Sequence, residues 1–381
     1  MAEYIIAFDD SGGSGRLVDG LGRPMTKGSF RPFPTIAGAM IRKDQYELFC
    51  EQWQKLCSDI GRDLGVASAP IHARLMYGRV LPPDRNPYAE SDGTPKLDFN
   101  KTVEYLSRAV ELFGDFSSQA RVATTLTITA ARSDLGEGLV RYYQDPEFYA
   151  EMMFLRENSE GRYKRMYQRY QAKSTSALLA LWIQLVATFE QFAHVMRLSS
   201  ADFVVDSFQD SAGIDSDEFL EYAKEIIQLE YIGSGKIASD PNNEPLLQFA
   251  DLWAYITRRH KEAAERVIGT DQVVEALYKK YNKMASIGFP REKMKGLKAG
   301  LYMRRPDWIP RAVALQYALA RKEIEDLNPD FANRYLLSVE EFLHRALDRY
   351  RQGRGEQIVG YSILEASALQ NGGDPARCGA P

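Results

Sequence analysis

Acids recur in this 381-residue chain where apolar runs end. Asp9 and Asp10 follow YIIAF at 4–8, and Asp206 closes ADFVVD. If both runs are strands, these carboxylates come to the carboxyl edge of one sheet, where α/β proteins place ligands. Carboxylates gathered there repel one another unless a cation stands between them, and such an oxygen-rich set suits Mg2+ or Mn2+. Asp251 interrupts the apolar helical run LLQFADLWAYI, a costly place for a charge unless it is paired or metal-bound. Gln248, Asp251, Tyr255 and Arg258 follow at spacings of three, four and three, which makes one helical stripe. His72, one of 4 histidines, lies in a proline-rich loop and is a candidate acid, base or phosphate contact. For any single aspartate the plainer reading is a turn residue, a cap or an acid satisfied by a nearby arginine; the set points to chemistry.

Other chemistries lack their residues. GSGKIAS at 233–239 has Glu230 where a phosphate-binding loop needs its first glycine, and Ile237 where it needs a hydroxyl. There is no G-x-S-x-G elbow and no G-x-G-x-x-G after a strand. Without C-x-x-C or H-E-x-x-H, zinc is excluded as an expectation. Cys50 and Cys57 are seven apart and share a helix face, most simply in the core. His194 reads as a core residue, and His260 and His344 as surface helix positions.

Strand-like and helix-like stretches alternate through the first 260 residues. Strands are predicted at 4–8, 34–41, 120–130, 201–208 and 230–239. Helices are predicted over 49–64, over 99–113 with Asp98 as cap, over 174–196, 215–228 and 244–260, and then over 271–285, 308–326 and 335–352. Between 66 and 98 the chain is irregular, with five prolines. The expected fold class is α/β, a mixed sheet flanked by helices in residues 1–260, followed by an α-helical extension over 261–365 and a disordered tail over 366–381.

Composition bounds the alternatives. At 45% hydrophobic and 26% charged residues the chain has ordinary globular composition, which excludes fibres and general disorder. The opening MAEYIIAFDDSGG has no basic n-region, so a signal peptide is not expected; with no long apolar run, the expected location is the cytoplasm, off the membrane. The net charge of −4 hides an imbalance, because residues 258–305 carry 13 Lys/Arg against 5 Asp/Glu, an excess of eight. That excess could face a polyanion or could be solvated helix faces.

FDDSGG, IHAR, VVD and LLQFADLWA, in that order over about residues 4–260, together resemble the bacterial and archaeal domain of unknown function 3800 family. That family is marked by an N-terminal Asp-Glu and a C-terminal Gln-x-x-Asp, which fall here on Asp9 with Asp10, and on Gln248 with Asp251. Two positions depart from it: Asp10 replaces Glu, and Leu75 replaces the acid of a His-Ala-x-Glu-like element begun by His72 and Ala73. The resemblance implies a ribonuclease H-like fold and a Mg2+- or Mn2+-dependent nuclease, in a mobile-element or phage-defence setting. On that basis Asp9 bridges two ions and Asp206 and Asp251 each complete one, with Asp10 or Asp240 as a fourth ligand. Gln248 orients a ligand or a water, and Lys236, Arg258 and Arg259 hold phosphates of a nucleic acid. Two other classes use the same residues. One is a binding module with an incomplete metal site, whose C-terminal helices dock a protein partner or a second copy; the other is a hydrolase of small phosphates.

Overall fold

The computed structural model of the chain describes residues 3–12, 32–77, 86–132, 177–206, 231–238, 243–288, 321, 325, 329–335 and 337–353. Five strands form one sheet: β1 (Tyr4–Ser11), β2 (Thr35–Arg42), β3 (Ala123–Thr129), β4 (Ala201–Val205) and β5 (Ile232–Ile237). Their order is β3-β2-β1-β4-β5. β2 is antiparallel to both β1 and β3, while β4 runs parallel to β1 and β5 parallel to β4. The central strands are covered on both faces, which is why YIIAF and DFVV read as nearly continuous apolar runs.

Strand alternation divides the sheet's side chains between two layers. Ala7, Ala37, Ala39, Ile41 and Val204 share one core with α1 (Lys43–Leu64), α2 (Ala73–Met76), α3 (Phe99–Ser118), α5 (Pro245–Ala264) and α6 (Gln272–Gly288). The alanines let α5 lie close to the sheet. Its Phe249 then stacks on Phe113 of α3 at 4.0 Å, and its Trp253 meets Tyr281 of α6 at 4.3 Å. On the other face, Phe8 packs edge-on against Phe203 and against Trp182 of α4 (Ala177–Met196). Two further helices, α7 (Pro329–Tyr335) and α8 (Val339–Gly353), lie near the C-terminus.

Local signals account for several boundaries. Phe49, Trp53, Leu56 and Ile60 of α1 are all buried, and the helix stops at Gly65 in the left-handed region. Asp98 caps α3 as predicted, its carboxylate accepting the N–H of Lys101 at 2.8 Å. Pro245 opens α5 from the first turn, where its missing N–H costs nothing.

Three features were not foreseen. The boundary at 260 falls within α5, and α6 beyond it is part of the main core, with Val274, Leu277 and Tyr281 buried. His260 is not a simple surface position: its ring stacks on Tyr278 at 3.8 Å and Nδ1 lies 2.6 Å from Glu275. The helix expected over 335–352 is preceded by a separate one, because Ser338 and Glu341 form a capping box that starts a new helix. The helix expected at 215–228, most of that at 308–326, Asp240 and the tail at 366–381 lie outside the described residues. Among the described residues no helix is long and apolar enough to cross a membrane.

Gly38 of β2 faces Phe8 across the strand pair. A Cβ there would come within 2.9 Å of the Phe8 ring, which Trp182 and Phe203 hold in place. Gly38→Ala is therefore expected to cost about 1–3 kcal/mol through overpacking, read as a lower urea midpoint at unchanged slope.

Candidate active site

The register of β1 and β4 builds the site. Ala7 pairs with Val204 and Phe8 with Val205. One step further, Asp206 comes beside Asp9, on the face that Ala7 and Val204 turn toward α5. α5 crosses this face and brings Asp251 to the same edge. The electrostatics agree: Asp251, Asp10 and Asp206 all act on Asp9. Alternation turns Asp10 to the opposite face, but its N–H donates to Asp9 Oδ1 at 2.7 Å. After Ser11, Gly12 takes a positive φ of 76°, and the buried Arg132 donates to its carbonyl at 3.0 Å, fixing the end of β1.

Burial, then the charge of Asp251 and of Asp10, with Asp206 adding less, holds the Asp9 carboxyl well above the usual carboxylate range; the Asp10 N–H offsets only part. His72 Nδ1 stands 2.7 Å from Asp251 Oδ2. The contact is close but off the hydrogen-bond direction, so Nδ1 remains without an aligned partner. Burial pushes the affinity of this ring for a proton down. The nearness and charge of Asp251 outweigh it and leave the pKa above the ordinary histidine value, with the exposed Arg74 opposing and Asp206 assisting.

The donor set suits a hard divalent ion, because a partly buried carboxyl raised further by three other carboxylates is one a cation would relieve. Among the described residues no three His, Cys, Asp or Glu side chains already stand together as a metal shell. An oxygen of Asp251 is instead engaged by His72.

The other residues named from sequence sit differently. Gln248 is buried, and its Oε1 accepts from Ile71 N–H at 2.8 Å and Trp53 Nε1–H at 3.0 Å. Its oxygen meets the loop before His72 and holds that backbone. Arg258 is not a solvent-facing phosphate contact. It is buried, with Nη1 2.7 Å from Glu262 Oε1 and Nε donating to Ser11 Oγ at 2.9 Å. Arg259 reaches Asp271 at 3.3 Å, at the joint between α5 and α6, where Tyr77 donates to the same carboxylate at 2.9 Å. Lys236 is exposed on β5 but holds Glu244 at 2.9 Å. Further along, Lys261 pairs with Glu265, Lys279 with Glu275 and Lys280 with Glu111, so much of the described part of the basic segment is neutralised by its own neighbours.

Arg74, Arg132 and Glu262 were missed. Glu262 lies four residues after Arg258, an ion-pair spacing visible in the sequence. Arg74 belongs to the IHAR motif itself. Nothing in the sequence marks Arg132.

A folded carboxyl with a raised pKa binds its proton more tightly than the unfolded chain does. Stability tied to Asp9 is therefore whole below about pH 4, where an unfolded Asp titrates, and is lost as pH rises through the higher folded value. The stability difference between Asp9→Asn and the natural chain is expected to move in the variant's favour from pH 4 to 8, as read by urea midpoints without added divalent ions. A difference that does not change with pH would contradict the burial and repulsion at Asp9.

No family model and no curated protein matches the chain. Among solved structures, the crystal structure of the ribonuclease H2 from Pyrococcus horikoshii OT3 aligns at 11% identity over 90% of this chain and 98% of that one, with a TM-score of 0.28. At that score the likeness has no bearing on the site. What stands is a mixed-sheet α/β protein with carboxylates from β1, the end of β4 and α5 at one sheet edge.

Proposed function

We propose that the chain is a divalent-metal-dependent nuclease with a ribonuclease H-like fold, acting on nucleic acid phosphodiesters. The observation that carries this reading is the meeting of Asp9 on β1 with Asp206, just past the end of the adjacent parallel strand β4, and Asp251 of α5, which leaves a partly buried carboxyl crowded by other carboxylates. The motifs shared with the domain of unknown function 3800 family support it, since they fall on these residues. Asp9, Asp206 and Asp251 would hold Mg2+ or Mn2+. A divalent ion there supplies charge neutralisation on phosphate oxygens and a more acidic water. His72 is placed to carry a proton for the leaving oxygen, and the nearby Asp251 carboxylate favours its protonated form. Arg74, exposed beside it, is the cation best placed for a phosphate.

One observation favours a second reading, a binding module with a disabled site: His72 already stands 2.7 Å from an oxygen of Asp251. The test is cleavage of labelled single-stranded, duplex and hybrid nucleic acids with Mg2+ or Mn2+, the natural chain beside Asp251→Asn. Cleavage lost in the variant supports the nuclease. Cleavage equal in both overturns the assignment to these carboxylates, and tight binding without cleavage favours the second reading.

A further inference from the structure

We infer that Gln248 is a positioning residue for His72, acting through the Pro70–Ile71 peptide one residue before it. The inference deepens the proposed site and rests on that reading for its importance to activity, but not for its geometry.

Gln248 is 7% exposed, and the three groups around its Oε1 are all donors: Ile71 N–H at 2.8 Å, Trp53 Nε1–H at 3.0 Å and Cys57 Sγ at 3.7 Å. That surrounding fixes which end of the amide faces them. The loop is held on either side of this clamp. Ala69 N–H donates to Cys57 O at 3.1 Å, and Tyr88 donates its hydroxyl to Pro70 O. Downstream, His72 O accepts from Leu75 and Met76 N–H at 3.0 and 2.9 Å, starting α2. His72 therefore leaves a pinned backbone with little freedom beyond its own rotamer. Support of this kind is what a functional side chain on a loop needs to be held in place.

The spacing in α5 gives the clamp its meaning. Gln248 and Asp251 are three residues apart, on one helical turn. One residue grips the Pro70–Ile71 peptide, one residue before His72, and the other meets the His72 ring at 2.7 Å. A single turn of α5 thus sets both ends of the His72–Asp251 contact. The side chain suits this role. It needs a neutral acceptor long enough to reach the loop from the helix; methionine has the length but no comparable acceptor, asparagine is one methylene short, and glutamate adds a buried charge.

The competing role is a polar plug that only fills the core. The two differ at the ring of His72. Full-length protein labelled with 13C-histidine is compared as natural chain, Gln248→Met, Gln248→Asn, Gln248→Glu and Trp53→Phe, with the His72 ring signal assigned by its loss in His72→Gln. Gln248→Met and Gln248→Asn are expected to move that signal toward those of solvent-exposed histidines. Both should also speed amide exchange at Ile71 by about tenfold or more, the scale of one lost buried hydrogen bond. Gln248→Glu, which keeps an acceptor oxygen but adds a buried charge, should hold the Ile71 exchange rate nearer that of the natural chain than Gln248→Asn does. Trp53→Phe removes the other nitrogen donor and disturbs the same core, yet leaves the His72 signal in place. If the signal is unchanged in Gln248→Asn, or moves as far in Trp53→Phe, the positioning role is overturned, whether or not Gln248→Met folds. Neither metal nor substrate enters the measurement, so its failure is distinct from failure of the nuclease reading.

Discussion

Asp9→Asn is expected to melt at a higher temperature than the natural chain at neutral pH, and to cleave nucleic acid about a thousandfold more slowly or less. The two effects share one cause. Asp9 is partly buried at the sheet edge, and the charges of Asp251, Asp10 and Asp206 bear on it. An amide of the same shape removes the repulsion and the cost of an ionised buried group, so the fold gains. It also removes the anion best placed to hold a divalent ion. An ion's share of transition-state stabilisation is several kcal/mol, and about 4 kcal/mol is a thousandfold in rate. Thermal unfolding with and without Mn2+, run beside the cleavage assay, separates the parts. Mn2+ should raise the melting temperature of the natural chain more than that of Asp9→Asn. If Asp9→Asn is destabilised and still cleaves, Asp9 is an ordinary structural acid. Opposed changes in stability and activity are the mark of a residue kept at the expense of the fold.

Removing either partner of the Arg258–Glu262 pair is expected to cost about 3–5 kcal/mol, a large part of a typical domain's stability. Both side chains are almost wholly buried, at 5% and 0% exposure, with 2.7 Å between Nη1 and Oε1. Glu262→Ala takes its ion-pair carboxylate from a guanidinium in the core, and Arg258→Met takes the cation from a buried carboxylate whose Oε2 has no hydrogen-bond partner among the described residues. The double variant Arg258→Met with Glu262→Leu removes both charges and should recover most of the loss. Urea unfolding of the two single variants and the double gives the coupling directly. Single variants that cost less than about 1 kcal/mol would mean that water reaches the pair, as at exposed ion pairs. Because Arg258 also donates to Ser11, the single variant at Arg258 loosens the end of β1 next to the acids as well.

Much of the fold could be read in the residues. β1, β2, β3 and β4 announce themselves as short β-branched or apolar runs, and α1, α3 and α5 by apolar residues at helical spacing. α4 is apolar on most faces, and its described side chains are nearly all buried. The carboxylates of β1, β4 and α5 could be named, because an acid ending a strand or breaking an apolar helix stands out. Their meeting depends on register, which one chain of letters does not contain. The roles of the polar residues on α5 were misread for a related reason. Spacing puts Gln248, Asp251 and Arg258 on one stripe, but only the packed loop and β1 decide what each meets. Gln248 turns to Ile71, and Arg258 to Glu262 and Ser11. The place of α6 was obscured by its charge. Val274, Leu277 and Tyr281 follow a helical period, yet the surrounding lysines and arginines drew attention to the surface.

The place of β1 in the sheet also dictates an order of assembly. Its antiparallel partner β2 begins at Thr35, but its parallel partner β4 begins only at Ala201. On a ribosome adding about 5–20 residues per second, Asp9 is made roughly 10–50 s before Asp251. During that interval β1 has one open edge, the kind of surface that recruits a wrong strand. The acids cannot gather until β4 and α5 have emerged, so a partly made chain carries no assembled site. The long-range closure that completes the sheet is also the step that creates the repulsion at Asp9, which places the electrostatic cost of the site at the end of folding.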